Sequence, residues 1–178
     1  MLIHELTRQE CLDLLARVHI GKLACAQGMQ PYIVPIHFAY ENFALYIFSM
    51  VGKKIEWMRA NPLVCVEADD IVSAEQWTSV IVFGRYEELS DTRDLKSERS
   101  RAIQLLQERA VWWEPGYAKI THDGTRPQPV PVFCRINVAE ITGRRAAPEP
   151  GPPDTSRSTA DSGKGGWLEK LLRRFRRT

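Results

Sequence analysis

PYIVPIHFAYENFALYIFSMVGKKIEWM, residues 31–58, contains two strand-like runs, the turn between them and the opening of a helix. Residues 32–40 and 44–50 are rich in β-branched and aromatic side chains, and Glu41-Asn42 between them supplies turn chemistry. Pro31 and Pro35 remove backbone donors inside the first run, so that strand is not expected to be hydrogen-bonded along both edges throughout. Gly52 permits an unusual turn, and Lys53-Lys54 open a short helix to about Arg59, which Asn61-Pro62 stops.

Upstream, Thr7 and Glu10 have the spacing of a capping box, with Leu6 and Cys11 placed as a hydrophobic staple. A helix over residues 8–17 follows, with Leu12 and Leu15 expected inward. Residues 20–26 form a strand that enters the turn Gln27-Gly28-Met29-Gln30, where Gly28 is free to take positive φ. Downstream, residues 63–68 alternate as a strand with Val64 and Val66 on one face and Cys65 on the other. A polar connection is expected at 69–76. Residues 77–89 form the longest strand, apolar on both faces at SVIVF, with Gly84 marking a bulge or a close backbone approach. Asp91 is placed to cap a second long helix to about Arg109, and residues 130–141 supply the last strand. These elements predict a mainly β fold: a six-stranded antiparallel barrel with flanking helices, since an open sheet would leave long apolar edges exposed.

The chain has 178 residues, 44% of them hydrophobic, enough for one domain with length to spare. Residues 1–145 read as that domain. Residues 146–166 hold no apolar side chain larger than Ala or Pro and read as a disordered linker. Residues 167–178 read as a basic amphipathic helix with Trp167, Leu168, Leu171, Leu172 and Phe175 on one face. This tail carries +4 of the overall +2 charge, so the body is slightly acidic and nucleic acid is not an expected partner. The expected partner of the tail is an anionic membrane surface. Cys11, Cys25, Cys65 and Cys134 are scattered and read as reduced thiols. With an opening MLIHELTRQE that lacks the pattern of a secretory signal, the expected location is cytoplasmic, peripheral at the inner membrane face through the tail.

Nucleophile-elbow, zinc-protease, phosphate-loop and dinucleotide fingerprints are all missing, and His4, His19, His37 and His122 are not at metal-ligand spacing, so no metal is expected. The informative stretch is SMVGKKIEWM, residues 49–58. A hydroxyl at a strand end, exposed N–H groups at a helix start and two ammonium groups together make an anion site from Ser49, Gly52, Lys53 and Lys54. Aromatic residues Tyr32, Trp77, Trp112 and Trp113 suit a planar heteroaromatic ligand as a group, while any one of them reads first as core or dimer packing.

The order GKLAC, PYIVPIHFAYENFALYIFSMVGKKIEWMRANPLVCVEAD, WTSVIVFGRYEEL resembles the FMN-binding split-barrel family related to pyridoxamine 5′-phosphate oxidase. Within that family it is most similar to the branch of nitroimidazole-resistance and flavin-nucleotide-binding proteins. The resemblance implies a homodimer with FMN at the subunit interface, Pro35, Ile36, His37 and Phe38 lining the flavin ring, and Ser49, Gly52, Lys53 and Lys54 holding ribityl and phosphate. It places Trp77, Ser79, Val80 and Trp113 nearby. The function it implies is an FMN-dependent oxidoreductase acting on a small electrophilic or nitroaromatic substrate, with a nicotinamide cofactor as reductant. The alternative is a non-catalytic flavin or haem carrier; haem and deazaflavin are the other cofactors found among relatives. No catalytic acid or base stands out beyond His37.

Overall fold

The computed structural model describes residues 1–108 and 131–149. Trp112, Trp113, His122, the remainder of the expected linker and the tail helix lie outside the described residues. The elements are β1 (Leu2–Glu5), α1 (Arg8–Arg17), β2 (Ile20–Gln27), β3 (Gln30–Glu41), β4 (Ala44–Met50), α2 (Lys53–Ala60), β5 (Leu63–Ser73), β6 (Gln76–Glu88), α3 (Lys96–Gln107) and β7 (Pro131–Ala147).

All pairings are antiparallel. β7, β4, β3, β2, β5 and β6 follow one another as neighbours, and β6 pairs again with β7, closing the expected six-stranded ring. β1 lies outside that ring, on the far half of β7, where Leu2 faces Ala147 and Glu5 faces Arg144. The sequence reading missed it because all four residues are exposed and show no alternation.

The ring is split. Residues 30–37 of β3 pair with β2, from Gln27↔Gln30 to Ile20↔His37. Residues 38–41 pair instead with β4, from Phe38↔Ile47 to Glu41↔Ala44. Phe38 N–H donates to the His19 carbonyl at 2.9 Å, which by antiparallel alternation turns the N positions of 31, 33, 35 and 37 away from β2. Two of those four are Pro31 and Pro35, which have no N–H to leave exposed.

Alternation along the strands sends Leu23, Ile36, Phe38, Leu45, Ile47, Val66, Val80, Val82, Cys134 and Ile136 into one core. α1 adds Cys11, Leu14 and Leu15 to that core; Leu12, expected inward, is only half-buried. α2 adds Ile55 and Met58. A second cluster forms where Ala102, Leu105 and Leu106 of α3 cover Ala39, Ala44 and Tyr46. Cys11, Cys25 and Cys134 are buried free thiols and Cys65 is partly so. No helix among the described residues is long and apolar enough to cross a membrane.

Local chemistry explains the boundaries. The capping box forms as expected: Glu10 N–H donates to Thr7 Oγ1 at 3.3 Å and Thr7 N–H to the Glu10 carboxylate at 2.9 Å. Gly28 has φ +58°, and Asn42 and Phe43 both take positive φ in the next two-residue turn. α3 departs from expectation. Residues 91–94 form turns, with Leu95 N–H donating to the Thr92 carbonyl, and the helix begins only after Leu95, with no side-chain cap. The Ser90 and Thr92 hydroxyls lie 3.3 Å apart, bonded to each other. β5 also runs on to Ser73, through the expected polar connection, because Asp69, Asp70 and Ile71 pair with Ser79, Thr78 and Trp77. β7 runs six residues past its expected end at Ile141, to Ala147, where β1 and β6 pair with it.

Gly84 sits at a register shift in the β6–β7 ladder. A Cβ there would lie 2.6 Å from Ile136 Cγ2 and 2.7 Å from the Asn137 carbonyl. Gly84→Ala is therefore expected to lower stability by about 1–3 kcal/mol in urea unfolding, whereas Gly28→Asn, in open space, should change it far less.

Candidate functional site

β4 ends at Met50 and the chain passes through Val51 and Gly52 into α2. Gly52 is extended (φ 176°, ψ −172°), not the unusual turn expected of it. Its carbonyl accepts from Ile55 N–H at 2.9 Å and Glu56 N–H at 3.1 Å, but no side chain caps this end of the helix. The first N–H groups of α2 thus point outward with the positive end of the helix dipole.

The two lysines diverge. Lys54 is half-buried beside Cys25 and Cys134, and no carboxylate pairs with it among the described residues. Burial pulls its amine below the ordinary lysine range, while the two thiols push back weakly. Burial likewise pushes the Cys134 thiol up to about 12, so it stays protonated and inert. Lys53 is exposed, and its Nζ lies 4.7 Å from the Tyr32 ring centroid and 4.6 Å from that of Trp57. Ser49 is buried, its hydroxyl donating to the Met50 carbonyl at 3.0 Å, so it reaches a ligand only by rotating.

α2 is braced where it stands. Arg59 forks onto Glu88 with two 2.8 Å bonds, and Tyr86 donates to the same carboxylate at 3.0 Å. The Arg59 guanidinium holds Glu88 below the usual carboxylate range. Asn61 Nδ2 donates to the Ala26 carbonyl at 3.2 Å, and Tyr86 N–H to the Pro62 carbonyl at 2.8 Å.

Of the β3 candidates, Pro35 is exposed on the open margin, while Ile36 and Phe38 point into the core and reach a ligand only through their backbone. His37 is 3% exposed on the outer side, its ring 6.4 Å from that of His19 at 74°. On β6, Val80 is likewise a core residue. Trp77 and Ser79 face outward and line a cleft of about 450 Å³ with Leu6, Ile141, Thr142 and Arg144. Ser79 also donates to Glu67 at 2.9 Å, and Lys22 bridges Glu67 and Asp69. Ser49 lies opposite Val132 of β7 and Trp77 opposite Ala146, so the two stand fourteen residues apart in register along that strand.

Sequence reasoning missed Trp57 and Arg144. Trp57 was legible, since it stands four residues after Lys53 on one helix face. Arg144 was not, since the cleft needs the unforeseen β1 and the end of β7.

The fold is a split β-barrel with an uncapped, lysine-bearing helix at its mouth. The chain matches the family described as pyridoxamine 5′-phosphate oxidase over residues 7–145, and it belongs to that family. It is 40% identical over 146 residues to an uncharacterized protein of Rhizobium meliloti (strain 1021), covering 82% of this chain and 97% of that one. Among solved structures it resembles an FAD-binding protein from Mesorhizobium loti at 44% identity and TM-score 0.70, covering 83% of this chain and all of that one. An FAD-binding protein from Mycobacterium smegmatis is 28% identical with TM-score 0.57, over 80% of this chain and 98% of its own.

Proposed function

We propose that this chain binds a flavin nucleotide at the β4–α2 mouth and acts as a flavin-dependent oxidoreductase. The observation that carries the reading is the uncapped start of α2 with half-buried Lys54 in its first turn, a partly desolvated cation with no carboxylate against it among the described residues. Such a group is costly unless an anion comes to it. The FAD-binding relatives from Mesorhizobium loti and Mycobacterium smegmatis support a flavin as that anion's source; FMN carries the same first phosphate.

When bound, the flavin supplies hydride and electron transfer at its ring. The protein's part is to hold and orient it. Lys54 and the α2 N–H groups take the phosphate, and Ser49 joins them on rotation. The open margin of β3 at Ile33 and Pro35 offers a flat backbone edge, with the Ile36 and Phe38 core excluding water behind it. His37 is the candidate proton donor.

The reading includes a homodimer. In that reading the partner's Trp77 would complete each site. An apolar row, Ile33, Ala24, Cys65 and Phe83, runs in register across four strands, with Ile33 64% and Phe83 47% exposed. A second copy would cover it. A reduced nicotinamide is the proposed reductant, and a small electrophile such as a nitroaromatic the proposed acceptor.

The purified protein is expected to show a flavin absorbance band in the blue that a reduced nicotinamide bleaches and a nitroaromatic restores, and to sediment as a dimer. Protein that stays colourless after soaking with FMN or FAD would end the flavin reading. Colour without bleaching would leave a carrier, and a coloured monomer would remove the shared site.

A further inference from the structure

The cleft beside Trp77 is pinned on more than one side. Strand alternation puts Trp77, Ser79 and Ile81 of β6 away from the core residues Val80 and Val82. β7 sets Arg144 opposite Ser79 and Thr142 opposite Ile81, and β1 sets Glu5 opposite Arg144. The corner from β1 into α1 is held against this ladder. Leu6 N–H donates to the Gly143 carbonyl at 2.9 Å, and a Cβ at Gly143 would lie 2.8 Å from both Leu6 Cδ1 and Cys11 Sγ. The space between measures about 450 Å³, within the size range of small-molecule sites.

The polar groups decide what kind of ligand fits. Consecutive strand residues face opposite ways, so Arg145 lines a second cleft, of about 230 Å³. Arg145 is already engaged, its guanidinium donating to Glu10 at 3.2 Å and to Thr78 at 3.4 Å. Arg144 is exposed, and the carboxylate paired with it among the described residues, Glu5, stands 4.0 Å away, beyond hydrogen-bond reach. Its fork therefore keeps donors for a planar two-oxygen anion. Ser79 donates to Glu67, and Lys22 is shared by Glu67 and Asp69, so Arg144 faces an incoming anion without help from either. With one guanidinium and Glu5 at its shoulder, the cleft favours a carboxylate over a doubly charged phosphate ester. Leu6, Ile81 and Ile141 make the remaining lining apolar, and the Trp77 indole among them suits a flat ring.

We propose that this cleft is a binding site for a small aromatic carboxylic acid, with the carboxylate on Arg144, the ring against Trp77 and the Thr142 hydroxyl as a further donor. The site stands without a flavin. Within the flavin reading it narrows the proposed acceptor to aromatic acids, and that role alone rests on that reading.

The test is calorimetric titration of the purified protein with benzoate, benzamide, acetate and benzylamine, repeated for benzoate in excess FMN. Benzoate is expected to bind at least about tenfold more tightly than benzamide, which lacks the charge, or acetate, which lacks the ring. Arg144→Gln should bring benzoate down to about the benzamide level, and Trp77→Leu should weaken it about fivefold. Arg145→Gln, on the opposite face, should leave it within about twofold. Arg144 is exposed, so Arg144→Gln serves as the test even if Trp77→Leu folds poorly; thermal midpoints are measured for all three. Equal affinity for benzoate and benzamide would overturn the proposal, as would an Arg144→Gln protein that binds benzoate like wild type. Benzylamine binding as tightly as benzoate would overturn it too, since the charge that matters would then be Glu5. Displacement of benzoate by FMN would give the cleft to the flavin and end the proposal. Protein that takes up no flavin yet binds benzoate through Arg144 keeps this site and removes the flavin reading alone.

Discussion

Lys54→Met is expected to weaken flavin binding by roughly 10- to 100-fold, the loss of one or two charge-assisted bonds to phosphate. Methionine keeps most of the buried stem and removes only the charge. Because burial already disfavours the ammonium in the empty site, the same change should leave the thermal midpoint of the flavin-free protein unchanged or raise it. That pairing, weaker binding without weaker folding, separates a ligand-holding lysine from a structural one. The lowered amine pKa adds a further mark. Only the charged form attracts phosphate, so affinity should begin to fall with rising pH sooner than for an ordinary lysine. Flavin uptake by Lys54→Met equal to that of wild type would remove the phosphate from this mouth.

Phe38→Ala should act in the opposite way, lowering stability by about 3–5 kcal/mol. Its side chain is fully buried, with Cε1 close over Gly21, where even an added Cβ would lie 3.2 Å away. Phe38→Leu, which refills most of the space, should recover more than half of that loss. Chemical unfolding of flavin-free protein measures both. Flavin affinity of whatever fraction stays folded should be nearly unchanged, since only the backbone of Phe38 faces the ligand side. A Phe38→Ala protein of normal stability that has lost flavin would show that the ring sits where the core has been placed.

Most of the barrel was legible from short-range chemistry. Alternation at Val64, Cys65 and Val66 and the positive-φ turn at Gly28 are decided by neighbours in sequence, while Gly84 was marked by its residue type although the atoms crowding it belong to β7. The two prolines of β3 marked a strand that is not paired along both edges throughout. What stayed hidden depends on the far end of the chain. β1 exists because β7 offers it a ladder, and β5 lengthens through polar residues because β6 continues alongside. Gly52 showed the limit of residue type alone: freedom to turn is no obligation, and the backbone there is straight. In the candidate site, the lysines and Ser49 were legible as a cluster, but their division of labour was not. One ammonium is half-buried beside thiols and the other rests on aromatic rings, a difference that only packing sets.

The proline-bearing margin of β3 has a consequence for how the protein survives in a crowded solution. A seam in a barrel is an invitation for a foreign strand to zip on and seed fibrils. With no amide hydrogen at positions 31 and 35, an incoming backbone finds its ladder interrupted at alternate rungs. A flat small molecule needs far fewer rungs than a polypeptide does, so the gap assigned to the flavin in the proposed function would also turn aggregation away.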